Sequence, residues 1–280
     1  MTEKAYAKIN LTLDVINKRP DGYHNVKMVM QAVDLCDEIT VELFDGEGIC
    51  ITSDSPNVPC NESNIAYRAA QIMLSKAGVA RGVKIHISKR IPVCAGLAGG
   101  STDGAAVVTA LNTLLGLNLP KSALMELSSP LGADVPFCII GGTALAEDIG
   151  THLTPLIPYK ETIVLLVKPP INVSTPWAYK NLNLASVTHP DVDALIQKIK
   201  NNDYNDIYSL MGNVLETVTV PEYPVIDEIK SKMLSLGAEF SMMSGSGPTV
   251  FGFFADLQSA SNAKTYFDKI FDEVIITKTV

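Results

Sequence analysis

One glycine-rich segment limits most strongly what this chain can fold into and bind. It is Pro92-Val93-Cys94-Ala95-Gly96-Leu97-Ala98-Gly99-Gly100-Ser101-Thr102-Asp103. It follows a predicted strand over 83–87 and opens a predicted helix over 101–115. Small side chains let its backbone approach a ligand closely. The free N–H groups of a helix start attract phosphate, and Ser101 and Thr102 add hydroxyls. The segment matches neither the Walker A nor the G-x-G-x-x-G spacing. A plain strand–helix turn with Ser101 as N-cap is the alternative interpretation.

Composition narrows the class of protein. In a chain of 280 residues, 47% hydrophobic and 19% charged residues exclude intrinsic disorder. The net charge of −8 argues against a broad grip on nucleic acid or on an anionic membrane. Five cysteines without a C-x-x-C pair predict reduced thiols rather than disulfides or a zinc site. We therefore expect a globular cytoplasmic protein, of an oligomeric state that the sequence does not indicate.

Hydrophobic periodicity predicts an α+β chain of two domains. The first half carries predicted strands at 5–16, 25–34, 37–44, 48–52, 83–87 and 143–147, and predicted helices at 64–77, 101–115 and 120–128. Asn61 or Ser63 is the expected cap of the first helix, and Gly78 its expected end. Gly150, Pro155 and Pro158 cluster where the composition changes. This change predicts a boundary between domains 1–155 and 156–280.

The second half is predicted to hold one four-stranded sheet with helices. Its predicted strands lie at 162–168, 239–243, 249–255 and 273–279. Its predicted helices lie at 190–201, 205–214, 221–236 and 257–271.

Four further motifs could carry chemistry. Lys8 and Asn10 share one face of the first strand. Asp134, in Gly-Ala-Asp-Val-Pro-Phe, could act as a base beside a lysine. Tyr23-His24 follows a Pro-Asp-Gly turn and could contact a nucleobase. The loop Ser244-Gly245-Ser246-Gly247-Pro248-Thr249 could approach an anion. Taken singly, each is also typical of ordinary strand surfaces, caps and loops.

Taken together, these segments resemble the GHMP kinase superfamily, and within it the kinases of 4-diphosphocytidyl-2-C-methyl-D-erythritol. The resemblance runs from about residue 5 to about residue 255 and includes A-K-I-N-L, P-D-G-Y-H, P-x-x-A-G-L-A-G-G-S-T-D, G-A-D-V-P-F and S-G-S-G-P. It implies ATP-dependent phosphorylation of a hydroxyl of the methylerythritol unit, in the non-mevalonate route to isoprenoids. It also implies an N-terminal domain like domain 2 of ribosomal protein S5 and a ferredoxin-like C-terminal domain, with the active site in the cleft between them.

The resemblance also implies roles for individual residues. Asp134 and Lys8 match the catalytic aspartate and lysine, and the ATP site matches Asn64, Pro92, Val93, Cys94, Ala95, Gly96, Leu97, Ala98, Gly99, Gly100, Ser101 and Thr102. The substrate contacts match Asn10, Tyr23, His24, Thr175, Tyr179, Ser246 and Gly247. His24 would contact the edge of the cytosine, and Tyr23 and Tyr179 would stack on the two faces of that base. Mg²⁺ is expected with ATP, but no carboxylate cluster indicates its ligands.

Several positions depart from the commonest family pattern. Ala95 and Ala98 stand where glycine is frequent and are therefore expected at negative φ. Thr102 replaces a serine, and Gly104 replaces an alanine inside the helix, which costs about 0.5–1 kcal/mol. These changes could loosen the loop.

Two alternative functions remain at this point. One is a GHMP kinase of another small alcohol, mevalonate-like or homoserine-like, which would not need Tyr23, His24 and Tyr179. The other is a non-catalytic nucleotide or metabolite sensor, which would be expected to lose Lys8 or Asp134.

Overall fold

The computed structural model describes residues 1–280, which divide into two compact units. Unit one consists of Met1–Ala7, Leu35–Val93 and Ala98–Gly141, and unit two of Lys8–Asp34, Cys94–Leu97 and Gly142–Val280. Two long strands, β1 (Thr2–Lys18) and β2 (His24–Phe44), run from one unit into the other and pair with each other. The predicted boundary at residue 155 remains a prediction.

Unit one holds a sheet covered by helices. Its elements are the end of β2, β3 (Ile49–Ser53), β4 (Gly82–Ser88), α1 (Ile65–Ala77), α2 (Gly99–Leu114), α3 (Lys121–Ser128) and α4 (Val135–Ile140). β4 pairs antiparallel with β2 and parallel with β3. Val83, Ile85 and Ile87 are buried, whereas Lys84 and His86 between them are exposed. Such alternation identifies a sheet with one face toward the core, and apolar residues of α1 and α2 complete that core.

Unit two holds part of the same six-stranded sheet and a separate four-stranded sheet. In the first, β2 pairs with β5 (Thr143–Glu147), which pairs with β6 (His152–Pro155). The second contains β7 (Ile163–Lys168), β8 (Phe240–Met243), β9 (Val250–Phe254) and β10 (Glu273–Lys278), in the order β10-β7-β9-β8 and all antiparallel. The helices are α5 (Thr175–Asn181), α6 (Val192–Lys200), α7 (Glu216–Glu222), α8 (Val225–Ser235) and α9 (Leu257–Phe267). This strand order and the alternation of strands and helices give the predicted ferredoxin-like arrangement.

Most predicted elements are present, but four details were wrong. The strands predicted at 25–34 and 37–44 form one strand, which continues through Leu35 and Cys36 without a break. The first helix is capped by Asn64, not by Asn61 or Ser63, although Gly78 ends it as predicted. α2 begins at Gly99 after Ala98, so Ser101 is not its N-cap. The helix predicted over 221–236 is interrupted before α8, at Pro224.

The helix predicted over 205–214 is also wrong. Only Ile207–Leu210 forms a short 3₁₀ turn. Gly212 and Val214 instead exchange backbone hydrogen bonds with Leu13 of β1. These tertiary bonds replace the helix that local propensity favours. The helices α4 and α5 and the strand β6 were not among the predicted elements.

Gly104 explains why a glycine stands inside α2. A β-carbon built at this position would lie 2.5 Å from Cγ2 of Ile65 in α1. The missing side chain therefore permits the close approach of α1 to α2, and the helix-propensity cost of glycine is the smaller effect.

We predict that Gly104→Ala destabilises the protein by about 1–2 kcal/mol, since overpacking costs about 1–3 kcal/mol and the helix regains only about 0.5–1. The free energy of unfolding in urea measures this change. Gly100→Ala is the control, because its β-carbon would meet Ile65 only at an ordinary 3.8 Å. A stabilised Gly104→Ala variant would show that the two helices have room to spare.

Candidate active site

The glycine-rich segment leads into an uncapped helix start. Ala98 occupies the N-cap position of α2, with φ 59° and ψ 25°, and no side chain accepts a hydrogen bond from the first turn. The N–H groups of that turn are thus available to an anion. The expectation of a negative φ is wrong for Ala98. Ala95 has no positive φ, whereas Cys94 also adopts the left-handed region, at φ 54°.

Beneath this helix start lies a buried charge cluster, here called the acidic triad: Lys89, Asp37 and Asp103. Lys89 Nζ lies 2.5 Å from Asp37 Oδ2 and 2.9 Å from Asp103 Oδ2, and the three side chains are at most 6% exposed. Asp37 Oδ1 also accepts hydrogen bonds from the backbone N–H groups of Arg90 and Ile91. The triad therefore connects the chain entering the glycine-rich segment to the helix that leaves it.

The triad holds two carboxylates against one ammonium group. Burial raises the pKa of the Asp103 carboxyl to about 7; Lys89 opposes this rise and the neighbouring Asp37 carboxylate adds to it. Asp103 Oδ1 is buried without a hydrogen-bond partner. The sequence analysis did not identify these residues; the carboxylate closing the G-G-S-T-D motif was the available signal.

Asp134 lies at the N-cap position of α4, but its side chain does not cap that helix. It is partly buried. The preceding Gly132 lies close to α2, since a β-carbon on it would be 3.9 Å from Ser101 Oγ. In unit one, the segment carrying Asp134 therefore adjoins the start of α2.

The Asn64 side chain caps the start of α1 in unit one. Its Oδ1 accepts from the N–H of Ala66 at 2.9 Å, and its Nδ2 donates to the carbonyl of Pro59 at 2.7 Å. The side chain is 7% exposed. Its predicted contact with the nucleotide remains a prediction, to which the structure adds a role in fixing the start of α1.

In unit two, Lys8 and Asn10 form a buried pair beside two glycine loops. Lys8 Nζ donates to Asn10 Oδ1 at 2.8 Å, and Asn10 Nδ2 contacts Met28 Sδ at 3.2 Å. The backbone N–H of Lys8 donates to the carbonyl of Leu97. A β-carbon built on Gly245 would lie 3.6 Å from Lys8 Nζ. The lysine is thus held between residues 94–97 and the loop 244–248.

The two loops meet backbone to backbone. Ser244 Oγ donates to the carbonyl of Gly96 at 3.0 Å, and a β-carbon on Gly96, at φ 73°, would overlap the carbonyl oxygen of Ser244. Ser246, which is 6% exposed, shares a hydrogen bond of 2.8 Å with Thr175 at the start of α5. The loop at 244–248 therefore reaches from the surroundings of Lys8 to α5.

One turn further along α5, Tyr179 meets His24. The ring centroids are 5.4 Å apart and the planes are inclined by 37°. Burial and the charge of Lys18 lower the pKa of His24, which keeps the ring neutral at pH 7. A neutral imidazole offers one hydrogen-bond donor and one acceptor. Tyr23 is 63% exposed, and its predicted stacking on a base remains a prediction.

The described residues contain no group of three or more His, Cys, Asp or Glu side chains that could hold a metal ion. No helix combines the length and apolar character that a membrane span requires.

Comparison with known proteins agrees with this geometry. The family models for the GHMP kinases N terminal domain and the GHMP kinases C terminal match residues 64–142 and 192–273. The chain is 48% identical to 4-diphosphocytidyl-2-C-methyl-D-erythritol kinases of Caldicellulosiruptor saccharolyticus and Clostridium botulinum, covering 100% of this chain and 97% and 100% of those relatives.

Solved structures give the same result. A crystal structure of 4-(cytidine 5'-diphospho)-2C-methyl-D-erythritol kinase, 31% identical, superimposes with a TM-score of 0.85 over 100% of this chain and 99% of that one. A homoserine kinase from Cytophaga hutchinsonii, 24% identical, shares the fold with a TM-score of 0.76 over 100% and 94% of the two chains.

The acidic triad gives a testable dependence of stability on pH. The Asp103 pKa is about 7 in the folded protein and about 4 in the unfolded chain. Protonated Asp103 contributes its full stabilisation at pH values below the pKa of the unfolded chain. That contribution is lost as the pH rises through the pKa of the folded protein. We expect Asp103→Asn to lack this loss, which is at most about 1.4 kcal/mol per pH unit.

Urea unfolding at pH 5 and pH 7.5 measures the difference. Asp54→Asn is the control: hydrogen bonds from the Lys89 N–H and the Ser88 hydroxyl lower the pKa of Asp54, so it stays ionised across this range. An identical pH dependence in Asp103→Asn and the wild type would contradict the assignment.

The two domain matches, the full-length relatives and the paired glycine loops agree, and the chain belongs to the GHMP kinase family, in its 4-diphosphocytidyl-2-C-methyl-D-erythritol kinase branch.

Proposed function

We propose that this protein transfers the γ-phosphoryl group of ATP to a hydroxyl of 4-diphosphocytidyl-2-C-methyl-D-erythritol, in isoprenoid precursor synthesis. The full-length similarity to curated kinases of this substrate carries the proposal. The geometry supports it, because a continuous set of contacts joins Lys8, through the loop at 244–248 and α5, to the His24–Tyr179 pair. Because the reaction consumes ATP, we place the protein in the cytoplasm.

Positioning and electrostatics supply most of the rate in phosphoryl transfer. Residues Pro92 to Thr102 bind the phosphates chiefly through backbone N–H groups at the start of α2. Mg²⁺ accompanying ATP would neutralise part of the charge of the phosphates. Asp134 accepts the proton of the attacking hydroxyl, and Lys8 orients that hydroxyl and offsets the developing negative charge.

The cytidine group binds at the other end of the contact path. The neutral His24 ring offers one of its two nitrogens, as donor or acceptor, to the cytosine edge, and Tyr179 provides a stacking face. Tyr23, being exposed, is free to close on the other face of the base. Thr175, Ser246 and Gly247 line the path between base and hydroxyl, while Asn10 holds Lys8.

We expect the purified protein with Mg²⁺ to consume ATP with the cytidyl substrate, and not with mevalonate, homoserine or no acceptor. Asp134→Asn should lower kcat by about 10²–10⁴-fold, as expected for the loss of a general base. Asp256→Asn, at the N-cap of α9, is the matched control and should leave kcat unchanged. Turnover with another alcohol would identify a different GHMP kinase. Measurable ATP binding without turnover on any of them would favour a sensor.

Base recognition predicts a separate change in KM. Tyr179→Leu should raise KM for the cytidyl substrate about 5–150-fold, because stacking on a base contributes about 1–3 kcal/mol. KM for ATP should stay within about twofold, because Tyr179 is assigned to the cytidine. Tyr266→Leu removes an aromatic of α9 that packs against Phe267, and it is the matched control. A rise in KM for ATP alone would assign Tyr179 to the nucleotide instead.

A further inference from the structure

The segment before α7 contains a buried asparagine whose side chain is fully used. Asn213 is 7% exposed. Its Nδ2 donates to the carbonyls of Met243 and Gly245 at 2.9 and 2.8 Å, and its Oδ1 accepts from the N–H of Leu215 at 3.0 Å. A single amide thus holds both ends of the turn that leads from β8 into the loop 244–248.

Glu216 secures the same turn from the other side of the backbone. Its Oε1 accepts from the N–H of Met243 at 2.7 Å, and its Oε2 accepts from Lys230 Nζ at 2.7 Å. The N–H and the carbonyl of Met243 are therefore both bound by side chains three residues apart.

The same segment is also bound to β1. The N–H of Leu13 donates to the carbonyl of Gly212 at 2.8 Å, and the N–H of Val214 donates to the carbonyl of Leu13 at 3.0 Å. Thr12 Oγ1 donates to the Gly212 carbonyl as well. Since β1 carries Lys8, residues 212–216 connect the strand of the proposed catalytic lysine to the loop beside it.

We propose that Asn213 is a positioning residue for phosphoryl transfer: its amide fixes the backbone of Gly245 against Lys8 without touching either substrate. The inference deepens the proposed function and rests on it for the role of Lys8. It gives the amide a purpose that neither capping nor core packing explains. A displacement of about 1 Å at a reacting group can lower the rate about a hundredfold.

The test compares Asn213→Ala with Asn112→Ala. Asn112 is a matched control because it also fastens a loop through its side chain, bonding both the N–H and the carbonyl of Leu119. We expect Asn213→Ala to lower kcat about 10–100-fold with both KM values within threefold, whereas Asn112→Ala lowers thermal stability and keeps kcat within twofold. Asn213→Ser is the second variant if the alanine variant does not fold.

A conservative substitution separates positioning from general destabilisation. Glu216→Gln retains an oxygen that can accept from the Met243 N–H and should keep most of kcat, whereas Glu216→Ala should lose it. Backbone amides of residues 243–247 should exchange faster with deuterium in Asn213→Ala than in the wild type. Wild-type kcat in that variant, or an equal fall in Asn112→Ala, would overturn the proposal.

Failure of the proposed function can be distinguished from failure of the positioning role of Asn213. If the wild type does not phosphorylate the cytidyl substrate, the kinetic comparison is made with the acceptor alcohol that it does use. If it uses none, amide exchange alone decides: unchanged exchange at 243–247 in Asn213→Ala contradicts the positioning role.

Discussion

Gly96 has no room for a side chain, since a β-carbon there would overlap the carbonyl oxygen of Ser244. The two glycine loops consequently approach to backbone contact, and Ser244 Oγ closes the gap by donating to the Gly96 carbonyl. Lys8 lies beside both loops, bonded through its N–H to Leu97 and neighbouring Gly245. The close approach of Gly96 to Ser244 therefore helps to fix both the position of Lys8 and the shape of the glycine-rich segment.

The charged groups near the glycine-rich segment are already paired with one another. With a net charge of −8, the protein does not attract phosphate through overall charge. Lys89, the cation beneath the start of α2, is engaged by Asp37 and Asp103 and stabilises the loop rather than the ligand. The proposed phosphate binding therefore relies on the helix N–H groups, next to which the acidic triad lies. A proton on Asp103 makes that triad neutral.

Sequence patterns were informative where a residue's role depends on its neighbours in the chain. Gly78 ended α1, alternation located β4, and short apolar runs located β7 and β9, each to within one or two residues. Patterns failed where distant contacts decide the outcome. The helix predicted over 205–214 was replaced by bonds from Gly212 to Leu13, about 200 residues away in the chain. The ion pair between Asp37 and Lys89 likewise joins residues 52 positions apart, and no motif in the sequence indicates it.

The candidate site shows the same division. Lys8, Asp134 and the glycine loops carry recognisable motifs, and each lies where a short segment fixes it. The pairing of His24 with Tyr179 and the binding of the Met243 backbone by Asn213 join residues that are far apart in sequence. The family resemblance had already assigned His24 and Tyr179 to one base, whereas neither a motif nor the resemblance indicated the bonds of Asn213. Ala98 was misjudged for a related reason: it joins the glycine-rich segment to α2 with a left-handed φ that its residue type does not indicate.

The central claim is that the His24–Tyr179 end of the contact path binds the cytidine group. The protein has only four histidines, so their imidazole proton resonances can be assigned by single substitutions and followed by NMR. Titration with 4-diphosphocytidyl-2-C-methyl-D-erythritol should shift the His24 resonances and leave those of His86 and His152 in place, whereas mevalonate should shift none. Saturable binding of the cytidyl substrate with an unchanged His24 signal would contradict the account.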